Sequence, residues 1–380
     1  METNVVIAGY ARSPFGLSHK GNMTKVRPDD LAATVVKALV DRTGVNVEDV
    51  ETLILGCANP EGEQGFNMAR YVVFLAGLPV KTGGITVNRW CGSSMQAIHM
   101  AAGEIQMGAG EVFICAGVES MTRVPMMGYN PSPNSALAKS WPETYYSMGQ
   151  TAEEIAKKYQ VTREVQQEFA VSSHQKALAA QKDGGLKDEI VPIEVPGGAV
   201  VDQDGAIRPE TSQEGLSGLK PAFDKNGTVT AGTSSPLTDG ASAVLVCTED
   251  YAKKNKLPIL ARIKAVAGTG LDPEIMGMGP VEATHKALKR AGLKIEDIDV
   301  MELNEAFASQ SVACMKEIGI DPKKVNLDGG AIALGHPLGA SGARITGKAA
   351  SNLKRIGGKY AVATMCIGGG QGIATVLEAV

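Results

Sequence analysis

Aromatic residues are scarce in this chain of 380 residues: they make up 4% of it, while glycine occurs 45 times. A core with so few rings is closed by small side chains and close backbone approach, so tight turns and closely packed helices are expected. The six cysteines, Cys57, Cys91, Cys115, Cys247, Cys314 and Cys366, include no CxxC pair. Their scatter favours neither a zinc site nor a disulfide scaffold and fits reduced thiols in a cytoplasmic setting. No stretch reaches the roughly 18 consecutive apolar residues of a membrane span, so no membrane insertion is expected. The net charge of −4 provides no general cationic surface for tracking a nucleic acid backbone. The start, Met1-Glu2-Thr3-Asn4, lacks a basic leader region and runs directly into Val5–Ala8, which reads as a first strand rather than a signal peptide.

What is present reads as α/β. Strand-like runs at Val5–Ala8, Thr52–Leu55, Thr86–Arg89 and Val112–Ala116 alternate with helix-like runs at Asp29–Asp41 and Ser94–Met107. One pattern occurs twice: Lys37-Ala38-Leu39, Gly44 and Glu48-Asp49 return as Lys286-Ala287-Leu288, Gly292 and Glu296-Asp297 at a nearly constant offset. Each copy then enters an apolar segment, Thr52–Leu55 or Val300–Leu303, so two similar halves are expected, the second beginning near Leu257. Between Met121 and Ser235 the periodicity changes to Pro/Asn/Ser-rich turns, a helical stretch over Thr151–Gln181 and a Gly/Asp/Pro-rich excursion. Thr151 with Glu154 reads as a capping box. An insertion of this length is expected to be a subdomain or a substrate-binding lid.

Four short segments carry side chains suited to chemistry. Cys91, in Asn88-Arg89-Trp90-Cys91-Gly92-Ser93-Ser94, falls between a strand-like run and a helix. A helix N-terminus favours the thiolate, which is the nucleophilic form; a small buried apolar residue is the alternative for a lone cysteine. His336 lies in the glycine-dense Gly329–Gly342, whereas His99, His174 and His285 lie on helical stretches and His19 in a polar turn, so His336 is the candidate base. Cys366 ends a strand-like run and precedes Gly368-Gly369-Gly370. The amides there suit an oxyanion site, a phosphate cradle or only a tight turn. Asn304 follows Val300–Leu303, where its carboxamide suits a water or an oxyanion, or caps the next helix.

Together, Val87-Asn88-Arg89-Trp90-Cys91-Gly92-Ser93-Ser94, Asn304-Glu305-Ala306-Phe307, Gly335-His336-Pro337-Leu338-Gly339 and Cys366-Ile367-Gly368-Gly369-Gly370 resemble the thiolase family in order and spacing along essentially the whole chain. The resemblance implies a five-layered αβαβα fold of two similar halves. The N-terminal half is expected over 1–120 plus 236–257, an inserted loop domain for CoA over 121–235, and the C-terminal half over 258–380. It also implies roles. Cys91 becomes acylated; His336 activates it; Cys366 protonates the leaving acetyl-CoA enolate and later deprotonates incoming CoA. Asn304 holds a water in one oxyanion hole, and the backbone N–H groups of Cys91 and Gly368 form the other. Ser235, Arg208, Met148 and Phe307 match the family's CoA contacts.

The reaction implied is ping-pong cleavage of a 3-ketoacyl-CoA by CoA, giving acetyl-CoA and a shortened acyl-CoA, with no metal or other cofactor. Ser147 stands where the biosynthetic branch often has histidine, and Thr230–Ser235 with Asn304–Gln310 looks like the degradative branch, so fatty-acid β-oxidation is favoured. Three other readings stay open: an acetoacetyl-CoA acetyltransferase running in the condensing direction, a non-enzymatic acyl-CoA-binding scaffold, and a cysteine hydrolase using Cys91 and His336, which gives Cys366 no task. A homodimer or homotetramer is expected, with a hydratase/dehydrogenase subunit as a further partner, and redox coupling of Cys91 with Cys366 is left open.

Overall fold

The computed structural model describes residues 3–380. Its main sheet carries one strand order twice. In the first half Val5–Arg12, Thr238–Thr248, Val112–Ser120, Thr52–Gly56 and Gly83–Val87 lie side by side; in the second, Ala261–Gly270, Gln371–Glu378, Tyr360–Ile367 and Val300–Leu303 do. The first two neighbouring pairs of each series are antiparallel and the next is parallel. Short pairing of Val6 with Arg262 and Ile7 with Ala261 joins the series edge to edge.

The repeated residues have repeated geometry. Helices Pro28–Thr43 and Gly279–Ala291 both end on a left-handed glycine, Gly44 at φ 68° and ψ 21° and Gly292 at φ 68° and ψ 30°. Glycine takes this conformation without the steric cost of a Cβ, and in both copies a single 3-10 turn then leads into a strand. These two helices cover the outer faces of the sheet series. Between the series lie Ser93–Gln106 and Leu338–Ile356, which touch each other and strands of both halves, so the order of layers is αβαβα.

Small residues make this middle layer possible. A Cβ at Gly117 would stand 2.1 Å from the Gly339 carbonyl oxygen, one at Gly342 2.3 Å from the Met95 amide nitrogen, and one at Gly56 2.3 Å from the Ser94 amide nitrogen. Each is closer than packed atoms allow, so the starts of both central helices and the strands Thr52–Gly56 and Val112–Ser120 meet backbone to backbone. Ser94 Oγ accepts the Ala343 N–H at 2.8 Å across the junction.

The segment between Met121 and Ser235 differs from its sequence reading at the helices. The stretch Thr151–Gln181 is two helices, Met148–Lys158 and Arg163–Lys182, separated by a turn with Gln160 at φ 54°. The capping box uses Ser147 and Gln150; Thr151 already lies inside the first helix, where its hydroxyl donates to the Met148 carbonyl at 2.8 Å. Ser147 and Thr151 are both competent caps, and the helix starts at the one whose N3 partner reaches back. The segment is anchored by Arg12, fully buried at the first strand's end, which donates to Glu189 at 2.7 Å and to both oxygens of Asp204 at 2.7 and 2.8 Å. Lys348 from the second half reaches the other oxygen of Glu189 at 2.9 Å. Burial pushes the Glu189 carboxyl up, but Lys348 and Arg12 outweigh it and bring the carboxyl down to about 2.

Gly342→Ala is expected to lower stability by about 2 kcal/mol or more, because the obstructing atom belongs to the backbone. Gly103→Ala, in the same layer but with open space at the Cβ, should instead raise it by about 0.5–1 kcal/mol. Denaturant unfolding of both variants checks the contrast.

Candidate active site

Cys91 sits on a strained elbow between strand Gly83–Val87 and helix Ser93–Gln106. Trp90 holds the left-handed conformation at φ 47°, uncommon for a residue with a side chain. Side chains hold the turn: Asn88 Oδ1 accepts the Trp90 N–H at 2.9 Å, Ser93 Oγ accepts the Arg89 N–H at 2.9 Å, and Asn88 Nδ2 donates to the Ala58 carbonyl at 3.1 Å. A Cβ at Gly92 would lie 2.5 Å from the end of Ile367, so the elbow is pressed against the strand that carries Cys366. Burial pushes the Cys91 thiol up to about 12 even though the backbone N–H groups of Gly368 and of Cys91 itself favour the thiolate.

His336 immediately precedes the other central helix. It follows Gly335, at φ 108°, where a Cβ would come 2.5 Å from Thr238. Its Nδ1 lies 2.6 Å from Ser341 Oγ, and Ser341 in turn donates to the Pro337 carbonyl at 3.2 Å. Assigning the hydroxyl proton to that bond makes Ser341 Oγ the acceptor of Nδ1–H and Nε2 the acceptor on the other side of the ring. Nε2 faces Asn304 Nδ2 at 3.4 Å. Burial, followed by the Arg344 charge, lowers the His336 imidazole to about 3, so it is neutral at ordinary pH.

Asn304 caps no helix: the next one, Ala308–Ile318, starts after Phe307. Its backbone N–H donates to the Thr364 carbonyl at 3.0 Å, while its buried Oδ1 has no partner. Cys366 lies one residue before the end of strand Tyr360–Ile367 and is fully buried with Met276, Ala306 and Phe307. Burial, and then the nearby Cys91, push its thiol upward. The glycines after it form a turn with Gly369 and Gly370 in the left-handed region, at φ 76° and 78°.

Three of the four residues read as CoA contacts gather here. Met148 packs on the cluster around Cys366 and lies beside Gly368. Phe307 makes an edge-to-face pair with Phe223 at 5.8 Å, and the Ser235 N–H donates to the Ala306 carbonyl at 3.0 Å. Arg208 stands apart. It is exposed, its side chain forms no hydrogen bond or ion pair among the described residues, and only its backbone is held, the N–H by His174 Nδ1 at 3.2 Å and the carbonyl by the Thr211 N–H at 3.2 Å. The neighbouring Ile207 packs on a different apolar cluster, with Ala177, Leu186 and Leu334, and not on the one around Cys366.

Two buried carboxylates that sequence reasoning did not assign brace this arrangement. Glu119 accepts the N–H groups of Ala58 at 2.8 Å, Asn59 at 3.2 Å and Gly339 at 2.9 Å, and the amide of Gln64 at 2.8 Å. It thereby ties the loop under the Cys91 elbow to the start of the His336 helix. Glu305 accepts from Ser173 at 2.6 Å, Asn326 at 2.7 Å and the Ile332 N–H at 3.2 Å, linking the Asn304 segment to the insertion and to the glycine loop. For both, burial pushes the carboxyl up and the donors bring it partly back. For Glu119 the available signal was an acid at the end of the otherwise apolar run Val112–Val118; Glu305, after Glu302 and Asn304, had no such signal.

The matches to known proteins agree with this geometry. Residues 5–250 match the thiolase N-terminal domain and residues 257–379 the thiolase C-terminal domain, so the chain belongs to the thiolase family. Within that family it is 49% identical to a 3-ketoacyl-CoA thiolase of Bacillus subtilis (strain 168), with all of both chains covered. It is 51% identical to one of Aliivibrio fischeri, over 99% of each. Among solved structures, human mitochondrial 3-ketoacyl-CoA thiolase superposes with a TM-score of 0.92 at 40% identity, covering 100% of this chain and 99% of that one.

Glu119→Ala leaves several buried donors without an acceptor and is expected to cost about 3 kcal/mol or more by denaturant unfolding. With its thiol pushed up to about 12, Cys91 is almost wholly protonated in the free protein. The rate of its alkylation by iodoacetamide should therefore keep rising from pH 7 to 10, approaching tenfold per pH unit; a plateau below pH 8 would contradict the assignment.

Proposed function

We propose that the protein cleaves 3-ketoacyl-CoA with free CoA through an acyl-Cys91 intermediate, as an acyltransferase of fatty-acid β-oxidation. The observation that carries this reading is the seating of Cys91 on a strained elbow, against the Cys366 strand and within reach of the Gly368 N–H.

The neutral side chains suit such a sequence. Cys91 Sγ attacks the 3-keto carbon as its proton passes to His336 Nε2, so charge is created only once substrate is bound. The oxyanion of this step lies on the backbone N–H groups of Cys91 and Gly368. The bond between C2 and C3 then breaks, and the acetyl-CoA enolate takes its proton from Cys366. In the second half-reaction the Cys366 thiolate takes the proton of incoming CoA, and the CoA sulfur attacks the Cys91 thioester. Its oxyanion, on the same acyl oxygen as before, again lies on the backbone N–H groups of Cys91 and Gly368, while His336 and a water on Asn304, whose unpaired Oδ1 is an acceptor for that water, hold the thioester oxygen of the acetyl-CoA enolate in the first half-reaction. Collapse expels Cys91, which recovers its proton from His336. Met148, Phe307 and Ser235 line the approach of the pantetheine arm, and Arg208 binds nearer the nucleotide end.

A homo-oligomer fits the exposed edge strand Gly83–Val87, which leaves a row of backbone groups open beside Ile85, Phe66 and Phe74. The six cysteines are all free, as suits the cytoplasm, and among the described residues no helix is long and apolar enough to cross a membrane.

The first test is disappearance of 3-ketoacyl-CoA across a chain-length series, with acetoacetyl-CoA the shortest member, with and without CoA. Strict CoA dependence with medium or long chains preferred is expected. Preference for acetoacetyl-CoA alone would move the protein to the condensing branch, and turnover without CoA would indicate a hydrolase. Cys91→Ala should abolish acyl-enzyme detected by mass spectrometry, whereas Cys366→Ala should still acylate but turn over at least a hundredfold more slowly. Full labelling of Cys91→Ala by substrate would sink the scheme.

A further inference from the structure

A cleft of about 440 Å³ has none of Cys91, His336, Cys366 or Asn304 in its lining. It adjoins the C-terminal part of helix Leu338–Ile356, whose N-terminus follows His336. At 1.5 Å of rise per residue, Asn352 lies roughly 20 Å along that helix from the imidazole. All three parts of the chain meet there: Leu39 and Arg42 from the first half, Asp188 and Glu189 from the insertion, Lys348, Lys354 and Arg355 from the second half.

The charges of this lining do not balance. Four cationic side chains, Arg42, Lys348, Lys354 and Arg355, face two carboxylates, Asp188 and Glu189. Lys348 is spent on Glu189 at 2.9 Å and Asp328 at 2.7 Å, and Arg355 on Asp328 at 2.7 Å. Arg42 and Lys354 have no carboxylate among the described residues. Arg42 donates to the carbonyls of Asp188 at 2.8 Å and Ile190 at 2.6 Å, and Lys354 to that of Ile259 at 3.0 Å. Carbonyl dipoles orient these cations without neutralising them, so the rim retains positive charge.

A second observation concerns the floor. Tyr10 lines the cleft, is only 8% exposed, and its hydroxyl is buried with no hydrogen-bond partner. Beside it, Asn352 also lines the cleft and donates to the buried Glu302 at 3.2 Å. A buried hydroxyl without a partner is rare in a folded interior. Leu39, Pro258 and Leu260 supply an apolar wall. The volume lies within the range of small-molecule sites.

We propose that this cleft is a second ligand site, separate from the thiol centre, that takes a small organic phosphate: the anionic group between Arg42 and Lys354, the body against Leu39, Pro258 and Leu260. A guest there bridges the insertion to both halves and draws the segment around Asp188 and Glu189 against helix Leu338–Ile356.

The test is equilibrium binding to the full chain, read by calorimetry with inorganic phosphate, adenosine monophosphate and hexanoate as probes. Saturating CoA is present throughout, so that any nucleotide site used by the substrate is occupied. Adenosine monophosphate is expected to bind at least tenfold more tightly than inorganic phosphate, and hexanoate more weakly than either. The double variant Arg42→Glu/Lys354→Glu should weaken nucleotide binding at least tenfold and leave CoA-dependent cleavage, where present, within twofold of the parent. Hydrogen exchange should show the nucleotide protecting amides 185–190. Absence of binding by all three probes, or binding that the double variant does not change, overturns the proposal. Neither result bears on the thiol chemistry, which the cleavage assay reads separately.

Discussion

The site depends on one steric constraint, the contact of two helices through their backbones in the middle of the molecule. Ser93–Gln106 and Leu338–Ile356 start side by side because Gly117, Gly339 and Gly342 leave no Cβ between them and the neighbouring strands. Cys91 precedes the first helix and His336 the second, so the same contact that closes the core sets these two side chains at the starts of neighbouring helices from opposite halves. The scarcity of aromatics follows: a ring at this junction would hold the layers apart.

Around that contact the polar groups are arranged for rigidity. Glu119 and Glu305 are buried carboxylates whose oxygens are filled by backbone N–H groups and neutral side chains, so each stiffens a loop without bringing a counter-charge near the thiols. The cations are gathered elsewhere, in the cluster of Arg12, Lys348 and Arg344 with Glu189, Asp204 and Glu302, where the insertion is anchored. Burial keeps Cys91, Cys366 and His336 uncharged at rest, and the nearby Arg344 charge acts in the same direction on His336.

Much of the site could be read in order along the chain. Cys91, His336, Cys366 and Asn304 each stand at the end of a strand-like run or in a glycine loop, where backbone amides are free and side chains point out of the sheet. The repeat was readable because Gly44 and Gly292 perform the same left-handed helix stop, which few residues besides glycine make. The capping box was misplaced by four residues, since Ser147 and Thr151 satisfy the same local rule and only packing chooses between them. Arg208 was matched by its position in a loop, and its side chain is exposed in the folded chain.

Residue order by itself determined the class of fold, its internal repeat and the kinds of side chain offered for chemistry, because periodicity, glycine and capping act over a few neighbouring residues. Which of them meet was decided only by tertiary structure. Glu119 and Gly339 are 220 positions apart, and Arg12 and Asp204 are 192 apart. No local rule links such pairs; they are set when two layers of helix and sheet close at a fixed distance. The charge states follow from the same closure: a thiol or imidazole acquires its shifted affinity for protons only once the surrounding chain has removed it from water.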